Sequence, residues 1–247
     1  MRCGILIIGS LLWDSGKQGE RAAWRATRLD VSAQIPVYAS FYYGRKSRRR
    51  GDTFTMTFET GEPSAHGVLA PCAKEVETIN DLIEEAKALW RAEDAKATSG
   101  TIGKGWGCVG ALFRLNTVNG KLVADWTARF RKMNAQGVSV VDSKGMLNIP
   151  WPNTLDGQPV DFDVILATAT KPEAERPTVR AVADAWIDQS NEQEAYFFNN
   201  VQHGIRTPDD CEIWRRIEER SPSWLKTAAY KEAIESLRRE SAARNKR

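Results

Sequence analysis

The chain opens on Gly4-Ile5-Leu6-Ile7-Ile8-Gly9-Ser10-Leu11-Leu12-Trp13. Positions 4–8 are short, β-branched and apolar without interruption, which predicts a strand buried on both faces. The run breaks at Gly9-Ser10, where a strand-to-loop turn is expected. Arg2 ahead of an apolar stretch imitates the start of a signal peptide. No small-residue cleavage site follows, and Asp14 and Lys17 come instead, so the stretch reads as a first strand and the expected location is cytoplasmic.

Outward from that strand, residues 29–43 are rich in Val, Ile, Tyr and Phe and read as a second strand region. A basic loop, Gly44 to Asp52, leads into the alternating strand Thr53–Phe58, and His66–Ala70 reads as the next strand. Residues 75–97 carry the clearest helical period. A Gly-rich segment precedes a strand over 109–115, and residues 120–134 read as helix or irregular structure. Val138–Val141 and Val160–Ala167 read as later strands, and 178–201 as helix. Thr207-Pro208-Asp209-Asp210 predicts a helix start with Thr as N-cap, and Ser221-Pro222-Ser223 predicts the start of the last helix. The expected fold class is α+β. Residues 1–170 form the main domain with an insert at about 120–170, and 171–247 form a helical C-terminal extension packed on it.

The composition is that of a globular chain: 247 residues, 42% hydrophobic and 27% charged. No apolar run approaches the ~18 residues of a membrane span. The net charge of +3 is too small to imply a nucleic-acid partner. Cys3, Cys72, Cys108 and Cys211 are dispersed and the two histidines are His66 and His203, so no zinc framework is visible. No metal and no cofactor is expected, and the cysteines read as reduced.

Three features carry possible chemistry. The N–H groups of Gly9, Ser10 and Leu11 at the end of the first strand can donate to a carboxylate or an oxyanion; a plain turn would look the same. In the helix over 75–97, Val76, Ile79, Leu82, Ile83, Ala86, Leu89 and Trp90 share a face. At 100° per residue Glu93 falls within ~20° of the middle of that face, Glu84 points away and Glu85 lies on the flank. A carboxylate on a buried face is expected to have a raised pKa, which suits proton shuttling. The alternative is a Glu in the last turn, leaving the core or paired with an Arg. The third feature is the run Arg45–Arg50, five cations in six residues, read either as a solvated hairpin loop or as a site for a small anion. Ser47 has no nearby His or Asp to activate it, and His203-Gly204 reads as a helix C-cap.

In their order along the chain these pieces resemble the γ-glutamylcyclotransferase superfamily, in particular its ChaC-type branch. The opening Tyr-Gly-Ser-Leu motif of that family stands here as Ile8-Gly9-Ser10-Leu11, followed by Leu12-Trp13. Ser47, Arg50-Gly51 and the strand Thr55–Phe58 are similar to the loop and strand that come next, then Gly67-Val68, then Leu89 and Glu93 at the spacing of the catalytic Glu. The stretch Tyr196–Ile205 is similar to a segment near the end of such chains. The resemblance implies a mixed, barrel-like sheet with flanking helices and a metal-free pocket. It implies cleavage of a γ-glutamyl amide by its own α-amine, releasing 5-oxoproline. Glu93 is then the general acid/base, and Ile8, Gly9, Ser10, Leu11, Ser47 and Arg50 bind the small-molecule substrate. A second expectation is a non-catalytic member of the fold that holds a small anionic metabolite or RNA through Arg45–Arg50.

Overall fold

The computed structural model describes residues 1–47, 50–51, 53–98, 100–133, 136–138, 140–188 and 192–244. In chain order the first half holds β1 (Cys3–Ile7), α1 (Glu20–Arg28), β2 (Ile35–Ala39), β3 (Phe41–Ser47), β4 (Thr53–Phe58), β5 (Ala65–Pro71) and α2 (Ile79–Glu93). Then come β6 (Gly103–Lys104), β7 (Gly107–Phe113), α3 (Gly120–Lys132), β8 (Asn153–Thr154) and β9 (Val164–Thr170). The last part is helical: α4 (Val179–Ile187), α5 (Glu192–Gln202), α6 (Asp210–Arg220) and α7 (Lys231–Arg244).

β1 is buried at every position and lies inside the main sheet, as its unbroken apolar run requires. It pairs antiparallel with β5, Gly4 opposite Pro71 and Ile7 opposite Val68, and parallel with β9. The order across the sheet is β6-β7-β9-β1-β5-β2-β8. The strand region expected over 29–43 holds β2 and the start of β3, with a break at Ser40, whose hydroxyl proton is shared between the carbonyls of Gly61 and Glu62. Past that break β3 and β4 form a separate ribbon. The ribbon leans on the end of β9, where the Thr57 hydroxyl donates to the Thr170 carbonyl at 2.8 Å. Among the described residues no backbone ladder closes the two sheets into a barrel. The class is α+β, a mixed sheet with helices against it.

α2 is capped as a helix should be: the Thr78 hydroxyl accepts from the Asp81 N–H, and the Asp81 carboxylate accepts from the Thr78 N–H. Its apolar face is fully buried at Leu82, Ala86, Leu89 and Trp90, against β7 and β9. α4 lies on β4, where the Trp186 indole donates to the Phe54 carbonyl and packs edge-on against Tyr43. α5 lies against the turn that follows β1.

Several expectations are corrected. Residues 20–28, to which the sequence reading assigns no element, hold α1. Gly44 to Ser47 belong to strand β3 and not to a loop; Arg48, Arg49 and Asp52 lie outside the described residues. Among the described residues Val138–Val141 forms no strand, and Ser139 lies outside them. The helix expected from Thr207 starts at Asp210, because the Thr207 hydroxyl turns to the Asp210 carboxylate. The segment at Ser221–Ser223 opens only a short 3-10 turn, Pro222–Lys226, and the last helix begins at Lys231. The stretch at about 120–170 holds α3, β8 and β9. Its last strand, β9, stands between β7 and β1.

Candidate functional site

After β1 the chain passes through Gly9 into the one-turn 3-10 helix Ser10–Leu12. Gly9 is extended, φ −173°, a conformation open to any residue, so the glycine is not there for a special backbone angle. A methyl group at this position would meet only the Tyr196 hydroxyl, at 3.7 Å. Gly9 therefore leaves a gap beside that hydroxyl. The N–H groups of Ser10 and Leu11 open the turn and have no acceptor inside it.

α1 presents Arg21 and Arg25 to this turn from one face, four residues apart. Arg25 Nη1 donates to the carbonyls of Leu11 at 2.7 Å and Asp14 at 2.8 Å, which pins the turn. Arg21 is 8% exposed. Its Nη1 donates to Ser10 Oγ and to Asp14 Oδ2, both at 3.0 Å, and its Nε donates to the Ala92 carbonyl at 3.0 Å. That carbonyl belongs to the last turn of α2, where the helix itself offers no donor. Arg21 Nη2 then lies 3.7 Å from Glu93 Oε2.

Glu93 is the last residue of α2, and its side chain is 17% exposed. A second cation reaches it from the ribbon, with Arg45 Nη1 at 3.7 Å from Oε1. The ribbon aims Arg45 by a bulge. Tyr43 pairs with Met56 and Arg45 with Thr55, so Gly44 is skipped. Successive residues of β4 face opposite sides, so Tyr43 and Arg45 do too, although plain alternation would put them together. Gly44 allows this because a Cβ there would lie 2.2 Å from the Tyr42 ring. The Arg45 guanidinium stacks over Trp106, 4.5 Å from the ring centre.

Arg50 comes in from the hairpin end. Its Nη2 lies 3.4 Å from Asp14 Oδ2, and its guanidinium sits 4.6 Å from the centre of the Tyr196 ring and 5.7 Å from that of Trp13. The Trp13 indole donates to Asn200 Oδ1 at 2.8 Å, and the Tyr196 hydroxyl accepts from the Met56 N–H at 3.2 Å. Burial pushes the Tyr196 phenol up from its ordinary value. Three guanidiniums, Arg21, Arg45 and Arg50, thus pair with the two carboxylates of Asp14 and Glu93, and a fourth, Arg25, holds the Asp14 backbone carbonyl beside them. The cluster is cationic and walled by aromatic rings, which suits an anionic small molecule.

Of the residues expected at the site, Gly9, Ser10, Leu11, Arg50 and Glu93 come together. Ile8 does not join them; its side chain leans toward Gly67 of β5. Ser47 stands at the end of β3 opposite Thr53 and makes no hydrogen bond to the cluster among the described residues. Glu93 lies at the edge of the core and not at the middle of a buried face, and it is ion-paired with arginines. Glu85 is the buried one: it lies 3.0 Å from Arg28, away from the cluster, and burial pushes its carboxyl up. Glu84 is exposed and pairs with Lys87. His203 bonds the Asn199 carbonyl ahead of Gly204, whose φ of +76° fits the expected C-cap. Sequence reasoning missed Arg21, Arg25 and Asp14; the only local sign was the i, i+4 spacing of the two arginines.

Two open grooves lie elsewhere. One of about 480 Å³ runs along α3 and one of about 230 Å³ lies between α1 and α2. The second touches Ala92 but not Glu93. Among the described residues no helix is long and apolar enough to cross a membrane. No family model, no curated protein and no solved structure matches this chain.

Proposed function

We propose that this chain is a γ-glutamylcyclotransferase-like enzyme of the ChaC type. It would cleave a γ-glutamyl amide by attack of the substrate's own α-amine and release 5-oxoproline. The observation that carries the reading is Arg21, one guanidinium that touches both Ser10 of the Gly9–Leu11 turn and Glu93. Two residues far apart in sequence, each expected to serve the same reaction, thereby meet at one place.

The reaction asks for three things. The α-ammonium must lose a proton, the leaving amine must gain one, and charge developing on the carbonyl oxygen must be met. A carboxylate can take the first proton and return it to the leaving nitrogen. In this reading Glu93 does so, held by Arg21 and Arg45. The N–H groups of Ser10 and Leu11 meet the oxyanion, and Arg50 on its aromatic rings takes the substrate carboxylate. Ring closure is intramolecular, so holding the folded conformer supplies a large part of the rate. The reading needs no metal and no cofactor, and it places the protein in the cytoplasm.

A second reading has its own support. Glu93 lies between two arginines, as a carboxylate with a purely structural task would. A non-catalytic protein that holds a small anionic metabolite in the same cationic cluster would look alike. RNA is the weaker ligand for it, because Arg45 and Arg50 turn inward onto Trp106 and Tyr196 and do not extend a basic face. The deciding experiment is 5-oxoproline release from a panel of γ-glutamyl compounds, with Glu93→Gln as the control. Turnover by the wild type that the variant lacks supports the enzyme. Saturable binding of the same compounds without turnover supports the binder.

A further inference from the structure

Cys3 and Cys72 play no part in the proposed cyclisation, and their chemistry is independent of it. The β1–β5 ladder runs from Ile7 opposite Val68 to Gly4 opposite Pro71. One step further it places Cys3 opposite Cys72, and the Cys72 N–H does donate to the Cys3 carbonyl, at 2.8 Å. Side chains directly opposite in an antiparallel pair share a face of the sheet. In a hydrogen-bonded pair their Cα atoms stand about 5.5 Å apart, at the centre of the range of about 4.4–6.8 Å that a disulfide spans. The neighbouring Cys72 thiol and burial together push the Cys3 thiol well up. Cys3 is buried and Cys72 is half-buried at the sheet end, bridged to Leu29 after α1.

We propose that Cys3 and Cys72 are a redox modification site, a cross-strand dithiol that a hydroperoxide converts to an intramolecular disulfide. The half-buried Cys72 reacts first. Its sulfur attacks the distal peroxide oxygen, the O–O bond breaks, and Cys72 becomes a sulfenic acid as one water or alcohol leaves. The Cys3 sulfur then attacks the Cys72 sulfur. The S–O bond breaks, the hydroxyl leaves as water with the Cys3 proton, and the S–S bond forms. The dithiol gives up two electrons and the peroxide takes two. Cys108 and Cys211 are both buried, and burial pushes the Cys108 thiol up to about 12, so they serve as internal references.

The test uses the full chain, treated with hydrogen peroxide, alkylated under denaturing conditions and digested without reductant. Mass spectrometry is expected to find the Cys3 and Cys72 peptides joined, two hydrogens lighter than their sum, and separate again after dithiothreitol. Cys108 and Cys211 are expected to stay alkylated. In Cys3→Ser, dimedone is expected to trap the sulfenic acid on Cys72. The proposal is overturned if both cysteines of the oxidised wild type remain alkylated, if Cys72 goes to sulfinic acid without a cross-link, or if the cross-link joins two chains.

Discussion

Arg21 Nη2 stands 3.7 Å from Glu93 Oε2 while Nη1 of the same guanidinium holds Ser10 Oγ at 3.0 Å. The carboxylate on α2 and the turn after β1 are thereby fixed relative to each other by one planar group. The contact to Glu93 is longer than a hydrogen bond.

This arrangement changes what Glu93→Gln should do. A lone carboxylate on a buried face would make the amide neutral or stabilising. With Arg21 and Arg45 beside it, the amide instead leaves two cations less well compensated. Both contacts, at 3.7 Å, are longer than a hydrogen bond, so the loss of stability is expected to be about 1 kcal/mol. Turnover is expected to fall by about 10²–10⁴-fold. Thermal unfolding and 5-oxoproline release measure the two separately; full activity in the variant would remove Glu93 from the mechanism.

Arg21→Lys is expected to be far from conservative. A lysine has one charged nitrogen and cannot reach Ser10, Asp14, the Ala92 carbonyl and Glu93 together. Arg21→Ala takes one of two arginines from Asp14 and removes the donor from the Ala92 carbonyl at a nearly buried place, and about 1–3 kcal/mol of stability should be lost. Denaturant midpoints of the two variants decide this, and near wild-type values in both would show that the contacts carry little energy.

Gly9→Ala separates folding from binding. The added methyl meets only the Tyr196 hydroxyl at ordinary contact distance, so the melting temperature is expected to hold within a few degrees. The methyl occupies the gap that a ligand's backbone-facing group would use, so KM for a γ-glutamyl substrate should rise. An unchanged KM would place the ligand elsewhere.

Acid sensitivity is expected between α4 and α6, where Asp184 of α4 accepts from Arg216 at 2.7 Å and from Arg220 at 2.8 Å. Those two hydrogen bonds hold its carboxyl well below the usual range. The unfolded chain then binds more protons than the folded one below about pH 4. The contribution is complete above that pH and is lost as the pH falls. Asp184→Asn should flatten the acid limb of stability and leave the neutral-pH limb with the same slope, as urea midpoints followed from about pH 2 to about pH 6 would show.

Gly44→Val tests the bulge. Any Cβ at this position runs into the Tyr42 ring, itself held under Arg176. Overpacking of this kind costs about 1–3 kcal/mol, and relief by removal of the bulge would return Arg45 to the Tyr43 face. Loss of quenching or shift of Trp106 fluorescence, read against a Trp106→Phe control, reports whether Arg45 has left its ring; an unchanged Trp106 signal would show that the bulge does not aim Arg45.

By itself the sequence determined the elements whose signal is local. An apolar run without interruption makes β1 an inner strand, and an i, i+3, i+4 stripe behind Thr78 makes α2 and brings Glu93 to its inner edge. The helical C-terminal third and the gathering of Gly9, Ser10 and Leu11 in a strand-end turn were legible for the same reason: each depends on neighbours within a turn or two. Tertiary structure alone decided the rest. The stripe of α1 holds a single large apolar residue, Trp24, so nothing periodic announced the helix that supplies Arg21 and Arg25. Alternation along β3 assigns Arg45 to the Tyr43 face, and only the extra residue at Gly44, visible once β4 is paired, turns it toward Glu93. The wheel ranked Glu93 as the buried carboxylate and Glu85 as a flank. Packing of α1 against that flank buried Glu85, while the end of α2 left Glu93 partly open to the arginines. Burial and ion pairing are properties of what lies across from a residue, and here those partners are tens of positions away in the chain.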